Sequence, residues 1–135
     1  MAATGNTVVK PAHARPVFLN LLQIRLPLGG ILSILHRVSG VLLVLSIPLM
    51  IWVVQLLNAG PQGYERAMVL FDHGGFKFLI FTVAWLLIQH SLSGIRHLLL
   101  DMGIGYGLPQ ARASAWTAFG ISLLLACWVA VLLWK

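Results

Sequence analysis

His90, Gly94, His97 and Asp101 follow one another at spacings of four, three and four residues. On an α-helix that spacing lines them along one face. A neutral imidazole nitrogen is a good axial ligand for haem iron, and an ionisable side chain within a bilayer is expensive and usually functional. If Arg96 marks the membrane interface, His90 lies six residues away, about 9 Å deeper. Two readings stay open on this ground: an iron ligand, or a neutral histidine hydrogen-bonded to a neighbouring helix. Gly94 has no side chain and leaves room for a flat macrocycle or for another helix. His97 and Asp101, one turn apart, are placed to pair as a cap near the interface. His90 and His97 stand about 10 Å apart along the helix axis, so they cannot both bind one iron. A second axial ligand would come from another helix or another chain.

Ser33 and Arg37 are also one turn apart and share a helix face. Their hydroxyl and guanidinium can hydrogen-bond a carbonyl of a membrane-soluble quinone, and the cation can steady negative charge on a reduced quinone or on haem propionates. The plainer alternative has Arg37 snorkelling to lipid phosphates and Ser33 bonding back to its own helix. His13 and His73 fall in polar segments and are expected to be solvated.

The elements that position these groups follow from composition. Of 135 residues, 59% are hydrophobic and 9% charged, and the mean hydropathy is +0.92. A soluble domain carries about 25% charged residues, so most of this surface must face lipid. Residues 38–57 contain no charge, enough for about 30 Å of hydrocarbon as helix. Pro48 within them is tolerable in a membrane. The helix is expected over 28–57, with Ser33, His36 and Arg37 on its first turns. Residues 78–95 are the second uncharged run, extended by Lys77 and Arg96 as snorkelling residues into a helix over 76–101. Residues 113–134 are the third, giving a helix over 111–134. Residues 58–75 make a loop whose middle, 64–71, has room for a short interfacial helix, and 102–110 form a turn-rich linker. Residues 1–26 form a polar tail in which Pro11 and Pro16 break any long helix. The chain thus reads as an all-α integral membrane protein of three transmembrane helices.

Several classes fall away. The net charge of +6 comes from nine basic residues that never form a run, which fits topology and headgroup contact rather than nucleic acid. Cys127 is the single cysteine and has no internal disulfide partner; within its segment it serves as a small apolar residue. Trp52, Trp85 and Trp128 lie inside the runs, and Trp116 and Trp134 lie near their ends, where an interfacial belt accounts for them. The first 27 residues lack an early apolar core before a small-residue cleavage site, so insertion is expected to be directed by the spans themselves. With the N-terminus in the cytoplasm, Lys10, Arg15, Arg25, Arg37, Arg96 and Arg112 lie on that side, against Arg66, Lys77 and Lys135 on the other. The positive-inside rule favours this orientation. The first span then leaves the cytoplasmic face and the second returns to it, bringing Ser33, His36, Arg37, His90, Arg96 and His97 into the same half.

Residues 15–40, RPVFLNLLQIRLPLGGILSILHRVSG, resemble the first signature of the cytochrome b membrane-anchor subunit of succinate dehydrogenase, in its bacterial form. The RP pair and the S-x-x-H-R-x-S-G that follows fall on Arg15, Pro16, Ser33, His36, Arg37, Ser39 and Gly40. The second signature, H-x-x-x-G-I-R-H-x-x-x-D-x-G, falls on His90, Gly94, Ile95, Arg96, His97, Asp101 and Gly103. The similarity runs over nearly the whole chain, in length and helix count as well. One position departs: Leu100 stands where the family commonly has an aromatic residue or methionine, a mild change facing lipid or partner.

The resemblance implies a subunit of a multi-subunit helical bundle in the bacterial inner (cytoplasmic) membrane. A flavoprotein oxidises succinate to fumarate, and an iron–sulfur subunit passes the electrons inward. Two membrane subunits, this one and a smaller anchor, hold one haem b between them and form the ubiquinone site. By the family pattern His90 is this chain's axial ligand, with the other histidine on the partner anchor. Ser33 and Arg37 map to the quinone pocket beside the iron–sulfur subunit, and His36, Arg37 and His97 to the region of the haem propionates. Two histidine ligands leave no open coordination position, as suits an electron-transfer haem. Without a flavin fold or iron–sulfur cysteines the chain is expected to be non-catalytic alone. The alternatives are the anchor of a quinol:fumarate reductase, and a small transporter or structural membrane protein without cofactor.

Overall fold

An apolar run facing lipid must satisfy its own peptide groups, and a helix does so within the segment. The computed structural model describes residues 26–135 and consists of four helices: α1 Leu28–Leu57, α2 Gly60–Asp72, α3 Gly74–Asp101 and α4 Leu108–Trp134. There is no strand among the described residues. Arg15 and Pro16 of the first signature, His13, and the tail up to residue 25 lie outside this range. α1, α3 and α4, of 30, 28 and 27 residues, are long and apolar enough to cross a membrane. At about 1.5 Å per residue each exceeds the 30 Å hydrocarbon core of a bilayer.

The apolar side chains point outward. Val44, Leu45, Leu124 and Trp128 are all exposed, whereas the buried positions of α4 are the small residues Ala115, Ala118, Ser122 and Ala126. This inverts a soluble core, as expected where lipid is the solvent and close helix approach depends on small side chains. Prolines sit where a missing N–H is cheapest: Pro27 at the N-cap of α1, and Pro61 and Pro109 in the first turns of α2 and α4. Pro48, inside α1, deprives the Val44 carbonyl of its usual amide donor.

α3 is the central element, packed against α1 on one side and α4 on the other. It runs antiparallel to α1: Gly29 lies against Arg96, Gly94 against His36, and Gly40 against His90. The segment expected as a loop over 58–75 is helical for most of its length. α2 buries Gly63 and Ala67 and packs on α1 and α3, at the end of the bundle away from His36, His90 and His97. Lys77 bonds Asp72 at 3.2 Å across the turn between α2 and α3. It therefore closes a turn between two helices as well as serving as a terminal cation.

Arg96 departs from its expected role as a snorkelling residue. It is only 8% exposed and reaches across to α4, where its Nε donates to Ser114 Oγ at 3.2 Å and its Nη2 to the Ala111 carbonyl at 3.1 Å. The first two turns of α4 present two neutral acceptors within reach, so the guanidinium is satisfied inward. His97 and Asp101 are not joined either. The ion pair of Lys77 with Asp72 is the only one among the described residues, and Asp101 is exposed.

Candidate functional site

Two short motifs, one near the start of α1 and one near the end of α3, meet because the helices are antiparallel. His36 of α1 and His90 of α3 stack with ring centroids 4.0 Å apart and planes 15° from parallel. His97, two turns beyond His90, tilts toward the same His36 ring at 5.3 Å. Rings approach this closely because each faces a glycine on the opposite helix. A Cβ on Gly40 would lie 2.9 Å from His90 Cε1, and one on Gly94 would lie 3.3 Å from His36 Cε1. Gly94 thus admits a histidine from α1, the second of the two uses its missing side chain allowed.

His90 is held through one nitrogen. Its Nδ1 lies 3.0 Å from the His36 carbonyl oxygen and 3.1 Å from Ser39 Oγ, while the Ser39 hydroxyl also bonds the His36 carbonyl at 2.9 Å. A carbonyl can only accept, so the proton of the first contact resides on His90 Nδ1. The neutral ring then carries its lone pair on Nε2, which takes no hydrogen bond among the described residues. The two readings of His90 open in the sequence are therefore compatible. One nitrogen is satisfied by a neighbouring helix and the other is left with ligand character. On the facing ring, His36 Nδ1 is buried and has no partner among the described residues.

The stacked pair forms a wall shared by two open grooves. The first, about 520 Å³, is lined by Arg37, Gly40, Val41, Val44 and Leu45 together with both rings. The second, about 480 Å³, runs past His36, His90, Gly94 and His97 on the other side. Both fall in the size range of small-molecule and cofactor sites, and the first is almost wholly apolar apart from the histidines and Arg37. Arg37 is exposed at the rim of the first groove, and Ser33, one turn earlier, is half-buried and lines neither. Ser39 carries no separate role in the sequence. The signal was its place three residues after His36, the reach over which a serine hydroxyl returns to its own helix's carbonyl.

Residues 11–129 match the family described as the succinate dehydrogenase/fumarate reductase transmembrane subunit, and the chain belongs to that family. Among relatives, the succinate dehydrogenase cytochrome b556 subunit of Coxiella burnetii is 34% identical over 121 residues, covering 89% of this chain and 97% of the relative. The subunit of the same name from Paracoccus denitrificans is 35% identical over 113 residues, covering 83% of this chain and 86% of the relative. The cytochrome b560 subunit of succinate dehydrogenase from Reclinomonas americana is 28% identical over 122 residues, with 85% of each covered. The chain is accordingly a membrane subunit of the succinate dehydrogenase/fumarate reductase type, all-α, with three helices long and apolar enough to span a bilayer.

Proposed function

We propose that this chain binds haem b at the His36–His90 wall, shares it with a second membrane anchor, and helps form the site where ubiquinone is reduced. The observation that carries the reading is His90 itself: Nδ1 secured by α1, Nε2 taking no hydrogen bond among the described residues, in a groove sized for a cofactor. The donor set suits the group. His90 would hold the iron, with a second ligand from the partner anchor because His97 stands too far along the helix. His36, whose buried Nδ1 has no partner among the described residues, and His97 and Arg37 would serve the propionates. The absent Cβ of Gly40 and the apolar wall of Val41, Val44 and Leu45 suit a flat, greasy ring. When bound, haem b supplies a one-electron store.

Around it, this chain's residues bind and orient. The Arg37 guanidinium presents a planar fork of N–H donors, so it can hold a quinone oxygen while negative charge develops there. Ser33, one turn away, can donate a hydrogen bond to the same oxygen. Electrons would come from succinate through a flavoprotein and an iron–sulfur subunit, whose docking side is the end of the bundle bearing these residues. With the N-terminus in the cytoplasm that end faces the cytoplasm, as basic residues in the loops favour. The same architecture would serve a quinol:fumarate reductase, a direction the family description covers equally.

The test is spectroscopic and kinetic. The assembled complex, reduced against oxidised, is expected to show b-type haem bands, and their absence would overturn the reading. Arg37→Ala is expected to abolish quinone reduction while electron delivery from succinate to an artificial acceptor continues. Quinone reduction at the wild-type rate would remove Arg37 from the quinone site, and equal loss of both activities would point to failed assembly instead.

A further inference from the structure

The haem reading assigns His90 as a ligand but leaves open what makes its Nε2 the available nitrogen. A free histidine in apolar surroundings can carry its proton on either nitrogen, and only one tautomer presents the lone pair at Nε2. We infer that α1 supplies the outer shell of the His90 ligand, with the His36 carbonyl and the Ser39 hydroxyl as positioning groups that fix the proton on Nδ1 and orient the ring. The inference rests on the haem reading above and adds to it a role for Ser39.

Three contacts close on one another. His90 Nδ1 meets the His36 carbonyl at 3.0 Å and Ser39 Oγ at 3.1 Å, and the Ser39 hydroxyl meets the same carbonyl at 2.9 Å. The serine has one proton, and the contact to the carbonyl uses it. Its oxygen is then left to accept from His90, so the Nδ1–H is shared between two acceptors. The reverse assignment would set a bare Nδ1 against a carbonyl oxygen, lone pair to lone pair, at 3.0 Å. Ser39 is 2% exposed, so water cannot replace it. Gly40, next in sequence, removes the Cβ that would push the ring off these acceptors. One helical turn thus provides carbonyl, hydroxyl and clearance.

Acceptors on the distal nitrogen raise the basicity of a ligating imidazole and hold its plane. A more basic ligand favours the oxidised iron and lowers the midpoint potential. In Ser39→Ala the carbonyl remains, so the tautomer persists but one acceptor is lost. In the whole membrane-embedded complex, Ser39→Ala is expected to raise the haem midpoint potential. It should also speed loss of haem to excess apomyoglobin on the order of 10-fold, at the low end for outer-shell changes. Ser39→Thr, which retains a hydroxyl, should restore both, and Ser39→Cys, a weaker acceptor, should fall between.

Potential and haem retention equal to wild type in Ser39→Ala overturn the inference. Should that variant fail to assemble, Ser39→Cys decides it in the same way. His90→Ala separates the two levels: if it keeps the wild-type haem bands, the ligand reading itself falls. If it loses them while the Ser39 variants match wild type, only the outer-shell role falls.

Discussion

α3 presents two seams of opposite character. Against α4 it is closed: small residues bring the backbones together, and the Arg96 guanidinium spends two of its donors on Ser114 and Ala111. Against α1 it is open: two histidine rings seat on Gly40 and Gly94, grooves flank them on both sides, and His36 Nδ1 and His90 Nε2 take no hydrogen bond among the described residues. One helix therefore holds the bundle with one face and keeps chemistry available on another. In a bilayer this division matters more than in water, because no solvent can rescue a polar atom left over at the holding seam.

The contrast can be broken most severely at its centre. His90→Ala removes the ring from the open seam and is expected to abolish the b-type spectrum of the complex; a retained spectrum would show that the open seam is not the haem site. Gly40→Val comes next. Its added Cβ would lie 2.9 Å from His90 Cε1, so the ring must move, and haem bands should shift or weaken. Gly120→Val is the control on α4, where a Cβ meets nothing within 4 Å, and its spectrum should match wild type. Equal spectral effects of the two would dissolve the distinction between the seams.

Arg96→Ala strikes the closed seam. Loss of two hydrogen bonds from a charged donor is expected to cost about 1–3 kcal/mol, seen as a lower unfolding temperature in detergent with unchanged haem bands. Haem loss without a stability change would mean that Arg96 belongs functionally to the other side. Lys77→Ala gives the smallest effect. The exposed pair with Asp72 should contribute less than about 1 kcal/mol, and a larger drop in unfolding temperature would mark the turn between α2 and α3 as a structural anchor.

Three apolar runs free of charge made the helical membrane architecture readable from residues alone, since length and composition suffice to demand spanning helices. Helical spacing likewise showed that His90, Gly94 and His97 share a face. What spacing does not reveal is the neighbour that covers a face. Hence Gly94 could be matched to a macrocycle or a helix, and only the packed chain identifies His36 as its occupant. Arg96 illustrates the same gap: its place at the end of the apolar run suggested an outward charge, but acceptors on α4, eighteen residues on at Ser114, draw it inward. Ser39 was hidden for a further reason. Its contribution depends on a backbone carbonyl, a group every residue has and no sequence pattern marks.

The paired glycines carry a consequence for how the protein is made. Gly40 admits His90 and Gly94 admits His36, so α1 and α3 meet as two pegs in two sockets. A slip of one residue would turn either helix by about 100° and shift it by about 1.5 Å, lifting both pegs at once. Fifty-one positions of chain separate Ser39 from His90, so α1 is synthesised before the histidine it holds. Until α3 docks in register, the His90 proton has no acceptor to choose its nitrogen. With His90 as the proposed ligand, the docking event that completes the helical hairpin would also complete the ligand, and cofactor loading would follow helix pairing and report on its correctness.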